Sequence, residues 1–121
     1  MASFDIVLPC YNPAGGWEKI VATSFSEISK ANPSHAFKLI LVNDGSQKNF
    51  SDNEIQFLRT TIPNGKIISG EKNFGKGFVL REGVKNSDSD FCIYTDIDFP
   101  YTTESFQRII VELLNAETDI A

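Results

Sequence analysis

The sequence predicts an α/β fold built on a mostly parallel sheet with helices on both faces. Three observations predict it. Short apolar runs alternate with stretches of helical periodicity in the order βαβαβαβα. The runs FDIVL, FKLILV and DFCIYT are nearly continuous in apolar character, as in strands covered on both sides. Clusters of Asn, Asp, Pro and Gly punctuate the runs. The chain has 121 residues, which points to one domain, and a hydrophobic share of 41% is too high for disorder.

Each element has its own signal. Phe4–Leu8 reads as the first strand, stopped by Pro9, with Pro13, Gly15 and Gly16 in the loop beyond it. Trp17, Ile20, Val21, Phe25 and Ile28 recur on one helical face, and Pro33 ends that helix. Phe37–Val42 is the second strand, closed by Asn43-Asp44-Gly45-Ser46. Ser51 and Glu54 have capping-box spacing and open a helix carrying Ile55 and Leu58, which Pro63-Asn64-Gly65 closes. Lys66–Ser69 is a short third strand. A glycine-bearing loop, Gly70–Gly77, runs into a third helix that reaches about Lys85. Asp90–Thr95 is the fourth strand and ends at Asp96-Ile97-Asp98. Beyond Pro100, the residues Phe106, Ile109, Ile110, Leu113 and Leu114 form one apolar helical stripe, which reads as core packing, and Asp119-Ile120-Ala121 resembles the approach to a further strand. Crossovers between parallel strands are expected to be right-handed.

Charge narrows the function. Eleven Lys and Arg stand against sixteen Asp and Glu, a formal net charge of -5. That excludes a nucleic-acid footprint and adhesion to anionic lipid, both of which need a basic face. No apolar run approaches a membrane span and no leader-like segment opens the chain, so the expected location is cytoplasmic. Cys10 and Cys92 are expected as buried, reduced thiols. On neighbouring strands their positions would differ by ~15 Å along the axis, too far for a disulfide. His35, the single histidine, reads as a surface connector, and no triad or zinc site can be assembled from it.

In open α/β sheets, ligands bind outside the carboxyl ends of the strands. Those ends carry Pro9-Cys10-Tyr11-Asn12, Asn43-Asp44-Gly45-Ser46, the Gly70–Gly77 loop and Asp96-Ile97-Asp98; the amino ends carry ordinary turn material, including Ser87–Ser89. Asp96 and Asp98 lie two apart in an extended segment, so their carboxylates point the same way, ~7 Å apart. Two such acids suit a hard divalent ion, Mg²⁺ or Mn²⁺, and their place at the carboxyl end favours that over a solvated pair capping the next helix. Asp88-Ser89-Asp90 repeats the spacing at the wrong end of the same strand.

The Gly70–Gly77 loop fails as a P-loop because Gly77 stands where a hydroxyl should, and it fails as a dinucleotide fingerprint because Leu80 replaces the third glycine. What remains is close backbone approach at Gly75 and Gly77, with Lys76 as a point charge at a helix start, a setting suited to phosphate or to an exposed lysine alone. Asp44 fits either an Asx-turn or an acceptor for a base or ribose. A nucleotidyltransferase of related fold would need a basic residue after the first strand, where Asn12-Pro13-Ala14-Gly15-Gly16 has none.

In this order the segments resemble the N-terminal half of a family 2 glycosyltransferase of Rossmann-like GT-A fold. FDIVLPCYN resembles the opening strand and its P-x-Y-N turn, and LVNDGS resembles the D-D-G-S segment with Asn43 in place of its first Asp. NFGKG continuing to Arg81-Glu82-Gly83 is similar to the N-x-G-K-G…R-x-G stretch of the dolichyl- and polyprenyl-phosphate branch, and Thr95-Asp96-Ile97-Asp98 to the D-x-D.

The resemblance implies inverting transfer of a sugar from a UDP- or GDP-sugar to an acceptor, such as a polyprenyl phosphate or a saccharide, with Mg²⁺ or Mn²⁺. It implies that Pro9 and Tyr11 border the base and that Asp44 hydrogen-bonds it. Asn12, Gly45, Gly75 and Lys76 would lie at the nucleotide, Asp96 at the ribose or metal-bound water, and Asp98 on the metal. Pro13 stands where an acid often follows Y-N and inherits no role. Residues 1–121 would form the nucleotide-sugar-binding portion, with the acceptor portion and catalytic base in sequence that this chain lacks. A non-catalytic nucleotide-binding module is the alternative. A lipid-linked acceptor would place the full protein at the cytoplasmic membrane face, and surface left uncovered by the missing half would favour self-association.

Overall fold

A computed structural model describes residues 2–95 and 103–116. The elements are β1 (Ser3–Cys10), α1 (Trp17–Ala31), β2 (Ala36–Asn43), α2 (Asp52–Thr61), β3 (Lys66–Ser69), α3 (Lys76–Lys85), β4 (Phe91–Tyr94) and α4 (Thr103–Ala116). The sheet has the order β3-β2-β1-β4, and every pairing is parallel. The chain therefore steps from β1 outward through β2 to β3, then returns to place β4 on the other side of β1.

That reversal decides which face each helix covers. Phe4, Ile6 and Leu8 of β1 pack with Leu39 and Leu41 of β2 under α1, α2 and α4, through Trp17, Val21, Leu58, Phe106 and Ile110. Val7, Ile40, Val42 and Cys92 face the other way, under Val79 of α3. A crossover running in the opposite direction with the same hand must pass over the opposite face, which is where α3 lies. Its approach is close. A Cβ at Gly83 would stand 2.5 Å from Val7 Cγ1, so the glycine of Arg81-Glu82-Gly83 is a packing residue between α3 and β1.

β1 runs through Pro9 to Cys10, two residues past its expected end at Leu8, and the reason lies in the hydrogen-bond alternation. Val7 C=O accepts from the Thr95 N–H on the β4 side, and Cys10 C=O accepts from the Asp44 N–H on the β2 side. The Pro9 nitrogen thus faces the β4 side, beyond Val7–Tyr94, the last pair of that ladder, so its missing N–H costs no bond. At α2 the capping box forms as expected, with Ser51 N–H and hydroxyl both 2.9 Å from Glu54 Oε1.

Two expectations at the amino end need correction. Ser87–Ser89 is not ordinary turn material: it wraps Asp5, which has no exposed surface. Asp5 accepts from Ser87 Oγ (2.6 Å), Ser89 Oγ (2.7 Å) and the N–H groups of Asp88 and Ser89, with Lys38 Nζ at 3.5 Å. His35 is half-buried, accepting the Ala2 N–H at Nδ1 and meeting the Phe4 ring edge-on at 5.6 Å.

Cys10 and Cys92 are buried free thiols. Cys92 pairs with Asp5, five residues from Cys10 along β1. Burial pushes the Cys10 thiol up to about 12 despite a hydrogen bond with Ser46, and burial also raises Cys92.

Candidate functional site

The order of the strands reverses at β1, between β2 and β4, and the carboxyl ends there open into a cleft of about 560 Å³. Pro9, Cys10 and Tyr11 enter it from β1, Asp44 from β2, and Tyr94 from β4. Asn73, Gly75 and Lys76 enter from the loop after β3, and Val79 from α3. Of the residues singled out in the sequence, the structure brings together Pro9, Tyr11, Asp44, Gly75 and Lys76. Asn73, Tyr94 and Val79 were not singled out, although Asn73 lies within the NFGKG segment and Tyr94 ends a strand next to the switch point.

Asn12 and Gly45 are not among the cleft-lining residues; they hold its loops. Asn12 takes a left-handed conformation (φ 44°), which asparagine tolerates better than most residues. Its N–H donates to Ser46 Oγ, and its Oδ1 accepts from the N–H groups of Gln47 (2.8 Å) and Lys48 (3.2 Å). Asn49 Nδ2 donates to Pro13 C=O, and Trp17 Nε1 to Asn49 C=O, beneath a Trp17–Phe50 stack. The loops after β1 and β2 are thus cross-tied at Asn12, Pro13 and Trp17. A Cβ on Gly45 (φ 72°) would fall 2.3 Å from the Lys72 carbonyl carbon, so the third loop rests directly on that glycine.

Asp44 is buried, and each carboxylate oxygen accepts a backbone N–H: Oδ1 from Phe74 at 2.7 Å and Oδ2 from Gly75 at 2.9 Å. The side-chain bond that closes its turn comes from Asn43 instead, whose Oδ1 accepts the Ser46 N–H at 3.0 Å. Gly75 has φ 93° and ψ 180°, a conformation open to little but glycine, and it caps α3. Lys76 follows as the first residue of α3, exposed at the cleft. Tyr11, 54% exposed, lines the same cleft. The cleft therefore offers an aromatic face, a cation beside a helix N-terminus and glycine-lined backbone, a set suited to a base joined to phosphate.

Asp96 and Asp98 lie outside the described residues. Among the described residues, no group of three or more His, Cys, Asp or Glu could hold a metal ion. A larger groove of about 830 Å³ lies between Ala31 and α4, lined by Glu104, Gln107, Arg108, Val111 and Glu112. It brings no glycine loop or strand end to a ligand.

The four-stranded parallel sheet, its helices on both faces and the cleft at its switch point are an open α/β architecture that matches glycosyltransferases of GT-A fold. Structures of that fold superpose on it. S. aureus TarS (residues 1–349) matches with a TM-score of 0.71 at 18% identity, over 97% of this chain and 34% of TarS. The same stretch of TarS in complex with UDP matches at 0.67 and 19%, over 94% and 32%. The mannosyltransferase PcManGT of Pyrobaculum calidifontis, in complex with GDP-Man and Mn²⁺, matches at 0.59 and 17%, over 80% and 27%. In sequence, a dolichyl-phosphate beta-glucosyltransferase of Trichomonas vaginalis is 23% identical over 106 residues, 85% of this chain and 31% of the relative.

The family description "Glycosyl transferase family 2" matches residues 5–121, and the chain belongs to that family. It spans about a third of the length of the relatives it matches. No helix among the described residues is long and apolar enough to cross a membrane.

Proposed function

We propose that the cleft binds the nucleoside diphosphate of a UDP- or GDP-sugar, as the donor site of an inverting glycosyltransferase whose acceptor is a polyprenyl phosphate or a saccharide. The observation that carries this reading is the convergence of Pro9, Tyr11, Asp44, Gly75 and Lys76 on one cleft at the switch point, in a family 2 chain. The UDP bound to TarS and the GDP-Man with Mn²⁺ bound to the mannosyltransferase support the donor class.

Tyr11 and Pro9 would flank the base. Lys76 would meet the diphosphate, where negative charge grows as the sugar leaves; a cation placed there favours the transition state over the ground state. Asp96 and Asp98 would hold Mg²⁺ or Mn²⁺, which when bound supplies further positive charge at the diphosphate. In a chain of net charge -5, binding a polyanion requires such local cations.

Calorimetry with UDP and GDP, in Mn²⁺ and in EDTA, tests the reading. Affinity is expected to fall by roughly tenfold or more without metal, and Asp98→Ala is expected to abolish the difference. Equal affinity in EDTA would remove the metal from the proposal. The second reading is a nucleotide-binding module without turnover. Donor binding without transfer or hydrolysis in the longer protein would select it.

A further inference from the structure

We infer that the outer face of α3 docks on an anionic lipid surface, with Phe74, Leu80 and Val84 entering the headgroup layer and Lys72, Arg81 and Lys85 meeting the lipid charges. The inference does not rest on the donor-site reading. A net charge of -5 argues against such a surface for want of a basic face, but the charge is unevenly spread. Residues 66–85 hold five of the eleven Lys and Arg and two of the sixteen Asp and Glu. α3 turns Val79 and Gly83 to the sheet. Four residues apart on the side the sheet leaves open, Leu80 and Val84 are 40% and 48% exposed. Phe74, just before the helix, is 52% exposed; its ring leans on Phe78 at 5.0 Å, with Lys72 Nζ 5.4 Å from its centroid. Arg81 folds back along the first turn, its Nη1 3.2 Å from where a Cβ on Gly77 would stand. Lys85 closes the last turn, and Lys66 donates to the Asn86 C=O just beyond it. Among the described residues, none of Lys72, Arg81 and Lys85 forms an ion pair. Of the nearby acids, Glu82 is half-buried, Asp88 is paired with Lys38, and Glu71 is exposed beside Lys72. Cations interleaved with exposed apolar side chains fit a surface that is charged outside and apolar beneath, whereas a small soluble anion would leave the apolar groups in water. Because the sheet holds α3 folded, docking does not first have to form a ten-residue helix.

Vesicle sedimentation without nucleotide tests it. The chain is expected to bind vesicles of mixed phosphatidylserine and phosphatidylcholine, more weakly as salt rises, and not vesicles of phosphatidylcholine alone. Arg81→Glu with Lys85→Glu should weaken binding roughly tenfold or more, and Leu80→Ser with Val84→Ser by a similar factor. The same charge change on the other side of the sheet, Lys19→Glu with Lys30→Glu on α1, should stay within about twofold of the original, because the effect belongs to a face and falls off within a Debye length. Circular dichroism matching the original checks that each pair of exposed substitutions leaves the fold intact. A second readout fixes the orientation: the indole introduced by Val84→Trp should be quenched by brominated phosphatidylcholine mixed with phosphatidylserine, whereas Trp17, buried on the opposite side of the sheet, should not. Absence of vesicle binding by the unaltered chain overturns the inference. So does an equal loss in the α1 variant, full binding by Leu80→Ser with Val84→Ser, or an unquenched indole in Val84→Trp. Copies that pair through this face in solution without binding vesicles would likewise overturn it and make the surface a contact between chains.

Discussion

The two ends of the sheet each bury an aspartate, and they use it in opposite ways. At the amino end, Asp5 gathers two serine hydroxyls, two backbone N–H groups and the Lys38 ammonium around a side chain with no exposed surface. Its donors point inward, and the end is closed. At the carboxyl end, Asp44 takes two backbone N–H groups from the described residues. The side chains of the loop it holds are left over: Lys76 stays exposed, and Tyr11 lines the same cleft with more than half of its surface open. A buried acid is therefore no mark of a site by itself. The distinction lies in whether its partners are the whole content of the loop or only its backbone.

The largest expected effect breaks the closed end. Asp5→Ala strands Ser87, Ser89, Lys38 and two N–H groups in a buried place. We expect it to cost on the order of 3 kcal/mol in urea unfolding, with Asp5→Asn in between. A loss under about 1 kcal/mol would mean that the amino end does not anchor the fold as described.

The converse change sharpens the contrast. Lys76→Ala removes an exposed side chain, so unfolding stability should stay within about 0.5 kcal/mol of the original. Affinity for UDP or GDP should fall roughly tenfold, about 1.4 kcal/mol. Stability lost together with affinity would show that the open end is built like the closed one.

Much of this contrast was legible in the sequence, and its gaps have physical causes. The strand and helix periods were strong, so all eight elements lie where the apolar patterns place them. The switch-point rule alone gathered Pro9, Tyr11, Asp44, Gly75 and Lys76 at one end. Asp5 was not legible, because an acid within an apolar strand reads as a solvated outlier until Ser87–Ser89, more than 80 residues away, folds over it. The turn-holding role of Asn12 was equally hidden, since its partners Gln47 and Lys48 belong to another strand's loop. Pairwise contacts at long separation leave no trace in local spacing. The continuation of β1 through Pro9 needed the neighbour's length, which only the sheet supplies.

The smallest expected effect is a pH dependence confined to the closed end. Asp88 is exposed, yet the hydrogen bond from Lys38, aided by that ammonium's charge, holds its carboxyl below its ordinary 3.8. For Lys38, desolvation acts against the charge, but the Asp88 bond and the charges of Asp5 and Asp88 outweigh it, and its pKa rises above 10.5. A carboxyl with a lowered folded pKa contributes stability above its unfolded value and loses that contribution as pH falls through the folded one. A raised lysine contributes below 10.5 and loses its share as pH climbs past the folded value. Asp88→Asn should therefore lower the urea midpoint slightly at neutral pH, with the gap closing as pH falls from 3.8 through the lower folded pKa, beneath which the native carboxyl is protonated as well. Because the pair is solvent-screened, salt should shrink the same gap, whereas Asp5→Ala should remain costly at any ionic strength. A gap that persists unchanged through acid would mean that Asp88 contributes shape rather than charge. The amino end would then owe its closure to the serine and backbone donors of Asp5 alone.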